Sequence, residues 1–385
     1  MLAYEHDDNP FNDDKETTQA IIAHLSECKI LDPACGSGAF PMGMLHKMVF
    51  ALGKLDPCNF TWKQAQLDKA LRDRQRAELF EDETLRNEAI TAADEKIHYI
   101  EASFGETGHE LDYTRKLFLI ENCIYGVDIQ QIAVQISKLR FFISLMVDQR
   151  VDDNRPNRNI LSLPNLETKF VAADTLIPIE KPHQEGQMYS LIGMDSNLRK
   201  VENELHSIRQ RIFFTKKWTE KKRLKIQEFD KRKELQRILI SNGFPTSSAG
   251  QIASWDPFNP LHSSSFFDPE IMFAFEGNLR GFFDIVFGNP PYIQFQTIKE
   301  QAKKYDRIGY KSYNQSGDIY CLFYELGYNL LKSNGVLTLI SSNRFCFTNY
   351  GFNLRGYLSK IEAIKIININ NIDVFSNLLK IFTFI

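Results

Sequence analysis

Phe282-Phe283-Asp284-Ile285-Val286, followed at once by Phe287-Gly288-Asn289-Pro290-Pro291-Tyr292, is the stretch on which the reading of this chain turns. The first half is apolar enough to be a buried strand. Two consecutive prolines cannot extend a central strand, because they supply no ladder donors and fix φ. The chain must therefore leave the sheet here, carrying an amide side chain, a rigid pair of carbonyls and an aromatic ring. An amide beside an aromatic platform suits the exocyclic amine of a flat heterocycle. The alternative for the turn taken alone is a strand-terminating loop whose tyrosine packs locally.

Working outward, the pattern is one of strands alternating with helices. Thr17 to Glu27 has helical spacing, and Lys29-Ile30-Leu31-Asp32-Pro33-Ala34-Cys35-Gly36-Ser37-Gly38-Ala39-Phe40 reads as strand, glycine loop and helix, the helix running to about Leu52. Pro41 suits a first helical turn, where its missing donor is not needed. Ile124 to Ile129 is a second strand. The helix that follows, Gln130 to Val147, carries Ile132, Ile136, Leu139, Phe142 and Ile143 at helical spacing. A third strand is expected at Lys169 to Ala173. Beyond the Asn-Pro-Pro-Tyr turn, Asp318–Lys332 reads as a helix closed by Gly335, Val336–Ser341 as a strand, Tyr350–Lys360 as a helix and Ala363–Ile369 as a strand.

Two polar stretches interrupt this alternation, at about 57–115 and 181–265, and are expected to be helical insertions into a catalytic domain spanning 29–385. Residues 1–28 form a polar segment and helix. Within the second insertion, Arg199 to Arg237 holds 14 Lys or Arg against 6 Asp or Glu, with Phe213, Phe214 and Trp218 interleaved. It lacks a sustained heptad, so a long helix or helical hairpin is expected. Its charge admits either a solvated surface or a phosphate-contacting face. Ser241 to Ser265 reads as a loop returning to the sheet.

Composition bounds the rest. A hydrophobic share of 43% supports a substantial core, and the net charge of -3 confines any nucleic-acid footprint to a local patch. The 6 cysteines are widely spaced, with no Cys-x-x-Cys pair, which fits free thiols in a reducing cytosol. The acidic N-terminus is no signal peptide, and the apolar run at Phe141–Val147 is too short to span a bilayer. A cytoplasmic protein is expected.

Alternating strands and helices imply a doubly wound, mostly parallel α/β sheet, with ligands at the carboxyl ends of the strands. Asp32 and the Gly36-Ser37-Gly38 loop follow the first strand, Asp128 the second, Asp174 the third and Asn289 the fourth. A dinucleotide would need a third glycine where Pro41 stands, and no Walker-type Gly-Lys-Ser/Thr is present. A cationic, ribose-bearing ligand fits better. Asp32 would lie near a positively charged amino-acid head, Asp128 would accept both ribose hydroxyls, and Asp174 would accept from an adenine amine. Any one of these acids alone reads as a strand-end or helix-cap residue.

The nine residues from Asp32 to Phe40, with Asn289-Pro290-Pro291-Tyr292 later in the chain, resemble the γ-class S-adenosylmethionine-dependent N6-adenine DNA methyltransferases. The likeness is greatest to the methylase portion of type IIG restriction–modification proteins, and it extends from about Asn9 to Phe375. It implies a Rossmann-like methyltransferase sheet, S-adenosyl-L-methionine as cofactor and double-stranded DNA with a flipped adenine as partner, with no metal. It further implies that Gly36, Gly38 and Phe40 line the cofactor pocket, with Asp32 at the methionine end, Asp128 on the ribose and Asp174 on the adenine amine. Asn289 and the Pro290 carbonyl would accept from the target N6 amine while Tyr292 stacks on the base.

Three departures accompany the resemblance. No Tyr-Thr-Pro segment precedes the first strand. No target-recognition domain follows the last catalytic motif, around Val374-Phe375, and no nuclease segment lies upstream. A fragment holding the central catalytic body is therefore expected. Two other readings follow: a methyltransferase acting on RNA or on a protein glutamine, and a truncated, non-catalytic remnant with residual cofactor or DNA binding. The long insertions speak against a small glutamine methyltransferase.

Overall fold

A computed structural model describes residues 2, 9–11, 13–79, 83–103, 108–149, 151, 153–154, 158, 164, 166–181, 196–215, 217–273, 275, 281–361, 366–369 and 381–384. In chain order the first half comprises α1 (Lys15–Glu27), β1 (Ile30–Asp32), α2 (Ala39–Leu55), α3 (Phe60–Glu78), α4 (Glu83–Ser103), α5 (Gly108–Asn122), β2 (Ile124–Asp128), α6 (Gln131–Val147) and β3 (Phe170–Ala172). Next come α7 (Ser196–Phe214), α8 (Trp218–Ser241), α9 (Thr246–Ser254), α10 (Pro269–Phe273), β4 (Phe283–Gly288) and α11 (Lys299–Ile308). The last elements are α12 (Tyr320–Leu330), β5 (Leu331–Ser342), α13 (Phe352–Leu358), β6 (Ile366–Ile369) and β7 (Ile381–Phe384).

The seven strands form one sheet in the order β3-β2-β1-β4-β5-β7-β6. The pairs from β3 through to β5 are parallel, and β7 runs antiparallel to both its neighbours. The sheet is thus doubly wound and mostly parallel, with strand order reversing beside β1. That reversal is where such sheets open a crevice at their carboxyl ends.

Alternate residues of each strand feed two cores. Ile30, Ile124 and Phe170 face a layer built from α1, α2, α3, α5 and α6. Leu31, Tyr125, Val127 and Val171 face the opposite layer of α7 to α10, α12 and α13. On β4 the parity slips, with Phe283 facing the second layer and Phe287 the first. The slip falls at Asp284 and Ile285, whose amides both donate to the Lys29 carbonyl (2.8 and 3.1 Å), and the pairing with β5 shifts at the same place: Phe283 pairs with Leu331 but Ile285 pairs with Val336. The extra residues of β5 loop out around Asn334, which takes the left-handed conformation (φ 66°). Strand β5 consequently begins at Leu331, where the spacing predicts helix to Lys332.

The two polar stretches are helical hairpins in their described parts. In the first, Arg74 Nε reaches Asp94 across α3 and α4 at 2.7 Å. In the second, Arg211 meets Glu220, Arg209 meets Glu228 and Lys231 meets Glu204, a descending order that only an antiparallel pair produces. The stretch expected as a loop before β4 contains α9, whose Ala249 and Ile252 are buried in the second core.

Helix α6 forms where periodicity predicts it, yet the residues that revealed it face outward. Ile132, Ile136, Leu139 and Ile143 are exposed, Ile132 to 76%, whereas Val134, Ser137, Phe141 and Leu145 are buried. The helix is apolar on two faces. Its small Ser137 lets it approach the glycine loop, and that contact sets which face turns inward.

Among the described residues no helix is long and apolar enough to cross a membrane. Val374, Phe375, Lys216 and the side chains of Phe213 and Phe214 lie outside the described residues.

Candidate functional site

The site is built from strand ends. Strand β1 stops at Asp32, which is 1% exposed and accepts one hydrogen bond, from the Ala34 amide at 3.1 Å. Burial pushes its carboxyl up to about 8, and Asp128 adds to the shift. On the neighbouring strand β4 stands Gly288, where an added Cβ would lie 2.6 Å from Asp32 Oδ1. Only glycine lets the acid and the strand share this space. The residue immediately after it is Asn289.

The glycine loop is held on three sides. Gly36 donates its amide to Asp128 Oδ2 at 2.9 Å, the Gln130 amide donates to Oδ1 at 2.8 Å, and Cys35 donates to the Val127 carbonyl at 2.9 Å. From α6, the Ser137 hydroxyl donates to the Gly36 carbonyl at 2.8 Å. Gly38 caps α2 in the left-handed conformation (φ 77°), and a Cβ there would meet Ser137 Oγ at 2.8 Å. The loop amides and the acid at the end of β2 thereby form one unit. Asp128 spends one lone pair of each oxygen on this frame and keeps the others. Phe40, in the first turn of α2, packs on Phe287 with ring centroids 6.2 Å apart.

Asp174 lies two residues past β3 and is 9% exposed. Its Oδ1 accepts from the Leu176 amide at 3.2 Å, and its Oδ2 accepts from the Tyr305 hydroxyl at 3.2 Å. Burial raises its carboxyl, opposed by those hydrogen bonds and by Lys304. The adjacent Thr175 donates to the Pro33 carbonyl at 2.7 Å, tying the end of β3 to the end of β1.

At the turn after β4, the Tyr292 hydroxyl lies 2.8 Å from Asn289 Oδ1 and 3.1 Å from the Ile340 carbonyl on β5. Its one proton serves two acceptors. The ring packs edge-on against Tyr320 at 5.7 Å, and burial, with Asp318 nearby, pushes the phenol up to about 12. The following backbone is stapled to a facing loop: Ile293 donates to Asp318 Oδ1 at 2.9 Å and Phe295 to the Gly317 carbonyl at 3.1 Å. This leaves the Tyr292 ring half-buried beside the half-buried Asn289.

Asp32, Gly36, Gly38, Asp128, Asp174 and Asn289 therefore all stand at the carboxyl edge of the sheet, on the adjacent strands β3, β2, β1 and β4. Ser137, Thr175 and Tyr305 belong to this arrangement without being legible as site residues in the sequence. Ser137 carries a faint signal, as one of two small hydroxyls, with Ser144, in an apolar helix. The other two carry none, since their partners are 142 and 131 residues away.

The basic hairpin is less bare than its composition. Glu228, fully buried, accepts from Arg209 at 2.8 Å and from Arg232 at 2.9 Å. Arg232 also donates to the Ala253 and Trp255 carbonyls. Arg223 binds Glu220 at 2.6 Å, Lys225 lies over the Phe258 ring at 4.4 Å and Lys233 over Phe229 at 4.3 Å. Lys221 feels the charge of Glu167, which precedes β3 at the end of that strand away from Asp174. Much of the positive charge thus holds the hairpin together and onto the body.

Comparison with known proteins agrees with this architecture. Residues 122–375, well over half of the chain, match the Eco57I restriction-modification methylase family. The type II methyltransferase M.BstVI of Geobacillus stearothermophilus is 31% identical over 96 residues, 25% of this chain and 17% of that protein. The type II restriction enzyme and methyltransferase RM.Eco57I of Escherichia coli is 35% identical over 100 residues, 25% of this chain and 10% of its own length. The type II methyltransferase M.PaeR7I of Pseudomonas aeruginosa is 32% identical over 88 residues, 23% and 15% of the two chains. These matches span a small part of each relative. With the family match covering most of the sheet, the chain belongs to the Eco57I restriction-modification methylases.

Proposed function

We propose that this protein transfers a methyl group from S-adenosyl-L-methionine to the N6 amine of an adenine flipped out of double-stranded DNA, as the methylase of a restriction–modification system. The observation that carries the reading is the contact of Gly288 with Asp32, which sets the amide-bearing turn directly against the glycine-loop acid. Two ligands, one on each side of the β1–β4 boundary, would meet there.

The residues suit the cofactor. Asp32 is buried and has no cationic partner among the described residues, so a sulfonium or ammonium charge would stabilise its ionised form. Asp32, Asp128 and Asp174 end three adjacent strands about 4.8 Å apart, so together they span on the order of 10 Å, the scale of an extended nucleoside. Asp128 retains acceptor capacity for ribose hydroxyls and Asp174 for an adenine amine. The cofactor supplies an activated methyl on a positively charged sulfur.

The rest of the chemistry belongs to the chain. Asn289 Oδ1 and the Pro290 carbonyl would accept from the target amine and localise its lone pair on nitrogen for the methyl; the sulfur would keep the C–S electron pair as a neutral thioether, and the surplus amine proton would leave to solvent. Tyr292 offers a stacking face that compensates part of the few kcal/mol lost on flipping. Positioning contributes most of the rate. Tritiated S-adenosylmethionine incubated with adenine-containing duplexes tests the reading. Label in N6-methyladenine is expected, and Asn289→Ala should abolish it while cofactor binding survives. Label in RNA or protein instead, or loss of both properties together, overturns the assignment.

A further inference from the structure

Tyr305 was invisible in sequence and lies where two halves of the site meet. It is the inward-facing aromatic of α11, 2% exposed, on a helix whose other side carries Lys299, Lys303, Lys304 and Arg307. Helix α11 follows the Asn-Pro-Pro-Tyr turn of β4, yet Tyr305 donates its hydroxyl to Asp174 beyond β3. In a sheet ordered β3-β2-β1-β4, that contact crosses the carboxyl ends of β2 and β1. The helix is held there firmly. Phe295 packs on Tyr305 and Tyr313 (6.4 and 4.9 Å), and Tyr310 donates to the Leu176 carbonyl at 2.9 Å.

We propose that Tyr305 is a positioning residue for the adenine end of the cofactor, acting by orienting Asp174. The inference rests on the cofactor reading given above. A carboxylate free to rotate in a buried site would present either oxygen, or its protonated form, to an incoming amine. Here the Leu176 amide fixes Oδ1 and the Tyr305 hydroxyl fixes Oδ2. Both are donors, so both favour the carboxylate over the acid. The fixed carboxylate keeps acceptor lone pairs for an exocyclic amine. Lys304, on the same helix, is the charged neighbour acting in the same direction. Because the anchoring hydroxyl comes from the segment after β4, the adenine end of one ligand is bound to the element that carries the acceptor turn for the other.

The test is selectivity for the amine. Calorimetry would compare S-adenosylhomocysteine with the analogue in which hydrogen replaces the purine 6-amino group, on the full chain. Wild type should prefer the amine by about tenfold, the usual size of a hydrogen bond to a charged group. Tyr305→Phe should narrow that preference to within about threefold and move the acid limb of the binding profile to higher pH. Tyr310→Phe, which removes a buried hydroxyl from the same lobe but not from the acid, should leave the preference unchanged. Full preference in Tyr305→Phe overturns the proposal. So does equal loss in both variants, which would signify general loosening of the lobe. Failure of wild type to bind either compound overturns the cofactor reading itself, and this inference with it.

Discussion

Gly288 and Asp32 occupy each other's space: the position a Cβ would take on one lies 2.6 Å from the carboxylate of the other. Replacing Gly288 with alanine must therefore displace a buried acid or the strand. Overpacking of this kind costs about 1–3 kcal/mol. Asp32→Ala/Gly288→Ala should recover part of that loss, because the clashing oxygen is gone. Urea unfolding of the two single variants and the double variant measures the coupling. Additive losses would show that the two residues do not contend for one space.

Asp32 also sets a pH signature. Burial pushes its folded carboxyl up to about 8, above the ordinary carboxylate range. A raised folded value means that the stability present below the unfolded value, about 4, is progressively lost as pH rises to about 8 and then levels off. Asp32→Asn carries no such charge. Its stability relative to wild type should increase between those limits, by on the order of a few kcal/mol in total. Denaturant midpoints at intervals across that range, compared between the two proteins, are the measurement. S-adenosylmethionine should reduce the difference if its positive end lies beside this acid.

The buried cluster in the hairpin gives a stability prediction of larger size. Glu228 pairs with both Arg209 and Arg232, one oxygen to each, and all three are buried. Glu228→Ala removes the carboxylate that both buried guanidinium groups share, leaving Arg232 only the more distant Asp256 at 3.8 Å, and breaking a buried pair in this way costs about 3–5 kcal/mol. Glu220→Ala, at the exposed Arg223 pair, should cost no more than about 1 kcal/mol. Thermal melts of both variants decide the matter. Similar losses would mean that the buried triad is solvated after all.

Much of the architecture was readable because strand ends announce themselves. Short apolar runs closed by Asp, or by Gly-Asn-Pro-Pro, mark the ends of β1, β2 and β4, and Asp174 follows two residues after β3. Facing was harder to read. In α6 the residues with the clearest periodicity point to solvent, since a helix apolar on two sides does not say which side the sheet will take. The irregularity between β4 and β5 was also hidden, as it depends on pairing between segments 48 residues apart rather than on either alone. Within the candidate site, the residues that follow strands were found and their supports were not. Asp128 and Asp174 stand out by position. The groups that hold them or their loops, Ser137, Thr175 and Tyr305, come from distant segments and look ordinary in their own neighbourhoods.

The Tyr292 hydroxyl offers a last discrimination, between ring and donor. It sits 2.8 Å from Asn289 Oδ1, the acceptor assigned to the target amine, and 3.1 Å from the Ile340 carbonyl. An amide oxygen has two lone pairs, so the hydroxyl and the amine can share it, and the Ile340 carbonyl can take the hydroxyl if they cannot. The stacking face of the ring, by contrast, is lost altogether when the side chain is cut back to a methyl. Tyr292→Phe should therefore keep the turnover rate within about threefold, whereas Tyr292→Ala loses stacking of about 1–3 kcal/mol and binds DNA with an unstacked target base correspondingly less well. Steady-state rates, with fluorescence of a 2-aminopurine placed at the target position, separate the two effects. A Phe variant as impaired as the Ala variant would transfer the essential role from the ring to the hydroxyl.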